Sequence, residues 1–158
     1  MKIAVISDTH LHEPRPWLEA VYEKHLAKAD AVLHCGDMTG KPAWAFLNRH
    51  PAFHAVAGNM DDSSLAGLLE PKLTLDLAGL RVGMTHGWGA VPFGLWKKVA
   101  KSFGPGYDMI CFGHTHTPKR DDYQGTLVLN PGSLREGSLA FVHVLDGKKP
   151  EIEFVTLD

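Results

Sequence analysis

Residues 2–10 read KIAVISDTH, a short apolar run rich in β-branched residues that breaks off in polar ones. This pattern predicts a buried strand over Lys2–Ser7, followed by a loop that carries Asp8 and His10. It recurs where the predicted strands Ala31–Cys35 and Phe53–Ala57 run into a glycine and then a polar residue. Between these strands, helices are expected from Pro16 to about Lys28 and over Lys41–Arg49. The alternation of strands and helices implies parallel strands joined by right-handed crossovers.

The second half of the chain predicts a different arrangement. A hairpin is expected from Leu73–Leu77 and Arg81–Met84, because a glycine stands at the turn between them. A helix is predicted over Val91–Phe103, and the remaining strands are predicted at Tyr107–Phe112, Lys119–Tyr123, Leu127–Leu129, Leu139–Leu145 and Ile152–Val155. The chain therefore predicts one domain of α/β class over residues 1–158, with two packed sheets flanked by helices.

The composition is that of an ordinary globular protein, with 44% hydrophobic residues, 22% charged residues and a net charge of −2 over 158 residues. Such a balance provides no global basic field, so neither membrane binding nor general nucleic-acid binding is expected. Cys35 and Cys111 both lie in apolar runs, which indicates buried thiols rather than a disulfide framework. The start has no signal-peptide pattern and no apolar run reaches membrane-spanning length, so a soluble, cytoplasmic protein is expected.

Polar groups stand at the ends of several predicted strands, where open α/β sheets bind their ligands. They are Asp8, His10, Asp37, Asn59, His86, His114 and His116. In an extended segment residues two apart point to the same side, so the pairs Asp8/His10 and His114/His116 are each expected to present two ligands to one place. Imidazole, carboxylate and amide groups without a thiolate suit Mn, Fe, Co, Ni or Zn. Seven ligands are too many for one four- or five-coordinate ion and fit two ions that share a carboxylate.

In order along the chain, these blocks resemble the calcineurin-like metallophosphoesterase superfamily, and within it the small bacterial and archaeal phosphodiesterase branch. The shared pattern is met by Asp8-Thr9-His10, Gly36-Asp37, Gly58-Asn59, Thr85-His86-Gly87 and Gly113-His114-Thr115-His116, with the closing Asn130-Pro131-Gly132-Ser133 typical of the branch. The resemblance implies a four-layer α/β/β/α sandwich of two mixed sheets flanked by helices.

The resemblance also implies the ligand sets of a dinuclear centre. One metal would be held by Asp8, His10, Asp37 and His116, and the other by Asp37, Asn59, His86 and His114. The expected cofactors are two divalent ions, manganese first, with nickel, iron, cobalt and zinc as alternatives.

Two positions depart from the superfamily pattern. Typical members place a histidine directly after the asparagine of Gly-Asn, where it can protonate the leaving group, but this chain has Met60. Many members have His-Gly-His where this chain has His86-Gly87-Trp88. Catalytic contributions are expected from Asn59, Asp61 and His114, with Asp61 serving as a proton donor, as support behind the ligands or as a loop cap.

The function predicted from these features is metal-dependent hydrolysis of a phosphodiester by a hydroxide that bridges two divalent metals. The alternatives are a phosphomonoesterase acting on a nucleotide or small metabolite, and an interaction scaffold like the retromer subunit that shares this fold. The expected partner is a small phosphoester substrate, and a second copy could pack on Trp17 or Trp44, which equally suit the core. Of the other histidines, His12 is the one considered for contact with substrate, whereas His50 is expected at the surface.

Overall fold

The strands of the structure follow the predicted order. The computed structural model describes residues 1–90 and 93–158. Its strands are β1 (Lys2–Ile6), β2 (Ala31–His34), β3 (Phe53–Ala55), β4 (Lys72–Leu77), β5 (Leu80–Thr85), β6 (Met109–Cys111), β7 (Lys119–Tyr123), β8 (Thr126–Asn130), β9 (Ser138–His143) and β10 (Glu151–Thr156). Its helices are α1 (Pro16–Val21), α2 (Lys41–Leu47) and α3 (Leu95–Phe103), with a π-helical turn at Tyr22–Leu26 and a 3-10 turn at Ser63–Leu65. Every predicted strand is present, with its ends shifted by at most a few residues.

The first sheet is built around β1, which lies at its centre in the order β10-β9-β1-β2-β3. β1 pairs in parallel with β2, and β2 with β3, so the predicted parallel arrangement of the first three strands is confirmed. β9 and β10 complete the sheet in antiparallel orientation. The carboxyl ends of β1, β2 and β3 therefore lie along one edge.

The second sheet has the order β4-β5-β6-β8-β7. β4 and β5 form the predicted antiparallel hairpin, and β5, β6 and β8 run parallel to one another. β7 pairs antiparallel with β8 at the far edge. The loops that carry His86 and His114 follow the parallel strands β5 and β6, so these two histidines also lie along one edge of their sheet.

Alternate residues of β1 serve two different cores, because successive side chains of a strand point to opposite faces. Ile3 and Val5 pack between the two sheets with residues such as Val82, Met84 and Leu129. Ala4 and Ile6 face the other way and pack under the helices with residues such as Leu18 and Leu47. Helix α3 covers the outer face of the second sheet. The layers are therefore helices, sheet, sheet and helix, which confirms the expected α/β/β/α sandwich.

The helices differ from the prediction at their ends. The helix predicted over Val91–Phe103 begins at Leu95, directly after Gly94, whose φ of 74° is left-handed and ends any helix that would run through it. Val91 and Pro92 lie outside the described residues. Within the described ranges, no helix is long and apolar enough to cross a membrane.

Candidate metal centre

The candidate ligands stand on strained backbone at the carboxyl ends of strands. Five of them have positive φ angles: Asp8 (54°), His10 (48°), Asp37 (57°), His114 (69°) and His116 (57°). The left-handed region is sparsely populated by residues other than glycine, and such strain persists only where the surrounding structure holds it, often at functional sites. The expectation that each i,i+2 pair is extended is therefore wrong, although the backbone still brings both members of each pair to the same place.

One group of ligand atoms surrounds the carboxylate of Asp8. Its Oδ1 lies 3.2 Å from His116 Nε2 and 3.7 Å from His10 Nε2. The two imidazole nitrogens are themselves 3.3 Å apart. Three ligand atoms from the loops after β1 and β6 thus face a common point, within 4.8 Å of one another.

A second group lies beside the first, around His86. Its Nε2 is 3.2 Å from Asp37 Oδ2 and 3.3 Å from His114 Nδ1. Asn59 Oδ1 joins the group at 3.1 Å from the same His114 nitrogen. The structure therefore brings all seven predicted ligands together in two adjoining groups.

Both carboxylates lie between the two groups. Asp37 Oδ2 is also 3.8 Å from His10, and Asp8 Oδ1 is 3.9 Å from His86. Asp37 is thus placed to serve both groups, as the resemblance implies, and Asp8 is nearly as well placed. A shared carboxylate between two ions is the arrangement that two-metal hydrolases use.

The other contacts of the Asp8 carboxylate show that this cluster suits cations. Its Oδ2 accepts hydrogen bonds from Ser7 Oγ at 2.6 Å and from the His114 backbone N–H at 3.1 Å. Its Oδ1 is fully buried and has no hydrogen-bond partner among the described residues. A buried carboxylate oxygen without a donor is costly, and a metal ion would satisfy it. The donor set therefore fits divalent metals on structural grounds as well as by residue type.

Hydrogen bonds behind the ligands fix which imidazole nitrogen faces the centre. His86 Nδ1 lies 2.7 Å from Cys35 O, and His114 Nε2 lies 2.8 Å from Gly89 O. His116 Nδ1 lies 2.8 Å from Glu136 Oε1. In each case the outer N–H donates to an oxygen and leaves the other nitrogen free to bind a metal. Glu136 was not foreseen, and its only sequence signal is its position three residues after the Asn-Pro-Gly-Ser turn.

The ionisation of His86 and Asp37 is coupled through their contact. Burial alone would lower the pKa of His86 and raise that of Asp37, because it disfavours the charged forms. Their hydrogen bond and the charge interactions with neighbouring groups together outweigh burial, so the pKa of His86 is raised and that of Asp37 is lowered. The raised pKa favours a proton on His86 where a metal would bind, so metal binding competes with that proton.

His34 supports the centre from behind the two loops that carry Asp8 and Asp37. It is fully buried, and burial lowers its pKa to about 3, so the ring is neutral. Its Nδ1 accepts the Gly36 N–H at 3.2 Å, which leaves Nε2–H to donate to Thr9 Oγ1 at 2.7 Å. His34 thus ties the loop after β1 to the loop after β2.

Asp61 faces the backbone rather than the centre. Its two carboxylate oxygens accept hydrogen bonds from Thr39 N–H at 2.9 Å and Gly58 N–H at 2.7 Å. The neighbouring Met60 donates its N–H to Asp37 Oδ1 at 2.8 Å. Of the three roles considered for Asp61, these contacts fit the loop cap best.

The remaining predicted side chains lie around the centre or away from it. His12 is exposed and lies 3.0 Å from Asp62, near the first group of ligands. His50 is not at the surface as expected, because its ring is buried and bonds to Ala29 O at 3.0 Å and Ala52 N–H at 3.1 Å. Cys35 and Cys111 are free and buried, as predicted.

Residues 1–147 match the calcineurin-like phosphoesterase superfamily domain, so the chain belongs to that superfamily. The α/β/β/α fold and the cluster of His, Asp and Asn side chains agree with this match. A probable metallophosphoesterase of Methanocaldococcus jannaschii is 37% identical over 135 residues, which span 84% of this chain and 68% of that protein. The solved structure of a novel archaeal phosphodiesterase has a TM-score of 0.74 at 25% identity, over 99% of this chain and 100% of the other.

Vps29 from Entamoeba histolytica has the same TM-score of 0.74 at 20% identity, over 100% of both chains. A likeness at that identity shows a shared fold alone. The family match identifies the protein as a calcineurin-like metallophosphoesterase, and the structure contains candidate ligands for divalent metals.

Proposed function

We propose that the protein hydrolyses phosphodiesters with two divalent metal ions, manganese first among the candidates. One ion would be held by Asp8, His10, Asp37 and His116, and the other by Asp37, Asn59, His86 and His114. The observation that carries the proposal is the buried Asp8 Oδ1, which faces imidazole nitrogens and has no hydrogen-bond donor among the described residues. When bound, the ions would supply an activated water and stabilise negative charge on the phosphoryl oxygens.

A centre loaded with two divalent ions would carry an excess of positive charge. The chain offers only two carboxylates, Asp8 and Asp37, to a pair of divalent ions, so the centre attracts a phosphate anion. Asn59 adds a neutral amide, which holds a ligand position without further negative charge. The tautomers of His86, His114 and His116 are preset by the oxygens behind them, so little reorganisation is needed when a substrate binds.

The surroundings of the second ligand group favour a diester over a monoester. Met60, Trp88 and Phe93 are exposed by 57%, 44% and 87%, and they lie in or beside the loops that carry Asn59, His86 and His114. Apolar side chains suit an uncharged organic substituent on phosphorus better than the second negative charge of a monoester. Met60 has no proton to donate, and the Asp61 carboxylate is engaged by two backbone amides, so good leaving groups should be preferred.

The test is hydrolysis of bis-p-nitrophenyl phosphate and of p-nitrophenyl phosphate by manganese-loaded protein, with metal content measured by elemental analysis. We expect two ions per chain and a higher kcat/KM for the diester. Asp37→Ala should bind neither ion. Its activity should fall by more than the roughly 10–100-fold loss that is typical when a residue behind a metal ligand is replaced.

Asp146→Asn provides the matched control, because Asp146 is an exposed aspartate in a turn remote from the centre. It should leave metal content and activity unchanged. At most one ion per chain under saturating manganese would refute the dinuclear assignment, and a faster reaction with the monoester would refute the diester preference.

An interaction scaffold is the second candidate, because the fold is shared with Vps29. The two functions make different demands on the cluster, since a scaffold does not need seven metal-binding groups in register. If the metal-loaded protein shows no hydrolysis of either ester while binding two ions, the scaffold function is favoured.

A further inference from the structure

The chain crosses from one sheet to the other directly beside the ligand loops. Residues 130–137, here called the sheet-crossing segment, run from the last residue of β8 in the second sheet to the start of β9 in the first. The end of β8 lies beside the end of β6, and the start of β9 lies beside the end of β1. The loops that follow β1 and β6 carry four of the candidate ligands, Asp8, His10, His114 and His116.

The first residue of the segment, Asn130, is bonded to the loop after β6. Its side chain is fully buried, and its Nδ2 donates to Gly113 O at 2.8 Å and to Thr115 Oγ1 at 3.0 Å. Its Oδ1 accepts the backbone N–H two residues further on at 2.9 Å, so both ends of the amide are engaged. The bonded residues flank His114 and precede His116, which belong to different ligand groups. One buried amide thus holds the backbone that presents a ligand to each group.

The middle of the segment is bonded to the loop after β1. The buried Ser133 donates from Oγ to Asp8 O at 3.0 Å and accepts the N–H of Glu136 at 3.3 Å. The N–H of Leu134 donates to Ser7 O at 2.8 Å. These bonds fix the backbone of Asp8, whose carboxylate lies between the two ligand groups.

Glu136 acts on a single ligand. Its Oε1 accepts the Nδ1–H of His116 at 2.8 Å, which leaves the Nε2 of that ring facing Asp8 Oδ1 at 3.2 Å. His86 and His114 are backed by neutral backbone carbonyls instead. A carboxylate behind a metal-binding histidine fixes the orientation of the ring and raises its basicity. The effect of Glu136 is therefore expected in the first ligand group.

We propose that the sheet-crossing segment sets how tightly the two metal ions are held, with Asn130, Ser133 and Glu136 as its positioning residues. The ligands come from two separate sheets, so their spacing depends on groups that bond to the loops of both. Several of these ligands also have left-handed backbone, which persists only where surrounding bonds hold it. The inference rests on the proposed function, because the ions are those of the proposed dinuclear centre.

Manganese titration of metal-free protein, followed by the electron paramagnetic resonance signal of free Mn²⁺, gives the number of bound ions and their affinities without turnover. Asn130→Ala should weaken the binding of both ions by about 10–100-fold, the usual effect of removing a residue behind metal ligands. Ser133→Ala, which changes the side-chain volume little, should act in the same direction. If Asn130→Ala does not fold, Ser133→Ala tests the same role.

Thr126→Val is the matched control for these two substitutions. Thr126 is the first residue of β8, the strand that ends at Asn130, and it is also buried. Its hydroxyl donates to Tyr107 O at 2.8 Å, away from the ligand loops. Loss of this bond should lower the unfolding temperature and leave the affinity for both manganese ions unchanged.

Glu136→Ala should weaken the binding of one ion only, by about 10–100-fold, because His116 belongs to the first ligand group. Glu136→Gln should restore most of the affinity, since its amide oxygen can accept the same N–H. The control is Glu153→Ala, which removes a similarly exposed glutamate that lies 2.9 Å from His143, a histidine outside the ligand set. It should bind both ions as wild type does.

The outcomes separate this proposal from the proposed function. If wild-type protein binds manganese but hydrolyses neither ester, while Asn130→Ala or Ser133→Ala binds it more weakly than Thr126→Val does, the proposed function alone fails. If the variants of the segment bind manganese as tightly as wild type and only unfold at a lower temperature, the segment contributes to packing alone and the proposal is overturned. Equal weakening of both ions by Glu136→Ala would overturn its assignment to the first group.

Discussion

At the scale of single residues, Met60 is expected to limit which leaving groups the centre can expel. Its side chain is 57% exposed and its thioether carries no proton. Met60→His should raise kcat/KM for alkyl esters by up to about 10²–10⁴-fold, the usual contribution of general acid catalysis, and change aryl diesters little. The measurement is kcat/KM across a series of leaving groups of different pKa, with Met60→Gln as a polar control that has no acidic proton.

Asp61→Asn tests, with the same series of leaving groups, the alternative that the neighbouring Asp61 carboxyl group is the proton donor. The Asp61 carboxylate now accepts hydrogen bonds from two backbone N–H groups. An asparagine would point its NH2 group at one of them, so the loop should shift. The rates of hydrolysis of all esters should then fall by a similar factor. If only the poor leaving groups slow down, Asp61 is the proton donor instead. Wild-type cleavage of alkyl monoesters as fast as aryl diesters would contradict the role given to Met60.

At the scale of elements, the centre depends on how the ends of β1 and β2 are held together. His34 closes β2 and bonds to both loops, to Thr9 in one and to Gly36 in the other. His34→Ala would leave two buried polar groups unpaired, at a cost of about 1–3 kcal/mol each in the free energy of unfolding, and should weaken metal binding by about 10–100-fold. Thermal unfolding of metal-free protein and manganese titration measure the two effects.

The control for this substitution is His25→Ala, on the π-helical turn and away from the ligands. It should leave manganese affinity unchanged. If His34→Ala lowers the unfolding temperature but binds manganese as tightly as wild type does, His34 contributes to packing only.

At the scale of the whole molecule, the fold should not depend on its metals. Two extensive cores lie between and beside the sheets, and 158 residues bury enough apolar surface to stand alone. Removal of metal with EDTA should therefore abolish hydrolysis while leaving the far-ultraviolet circular dichroism spectrum nearly unchanged. Readdition of manganese should restore the activity. Loss of the spectrum after chelation would show that the metals hold the structure together, as they do in small zinc modules.

The sequence by itself determined the order of the strands along the chain, the two-sheet architecture and the list of candidate ligands. Strands are predictable here because their apolar runs are short and end abruptly. The candidate ligands are predictable because each follows the end of such an apolar run. The same local signals left helix ends less certain, as in α3, where one left-handed glycine moves the start to Leu95.

Only the tertiary structure decided how the ligands are aimed and what supports them. The left-handed backbone of Asp8 and His10, the bonds from His34 to two loops and the contact of Glu136 with His116 have no local sequence signature. The burial of His50 and the bonds from Asn130 to the loop after β6 likewise arise where distant segments meet. These features depend on contacts between residues far apart in the chain, whereas strands and their polar ends are set by the apolar pattern of neighbouring residues.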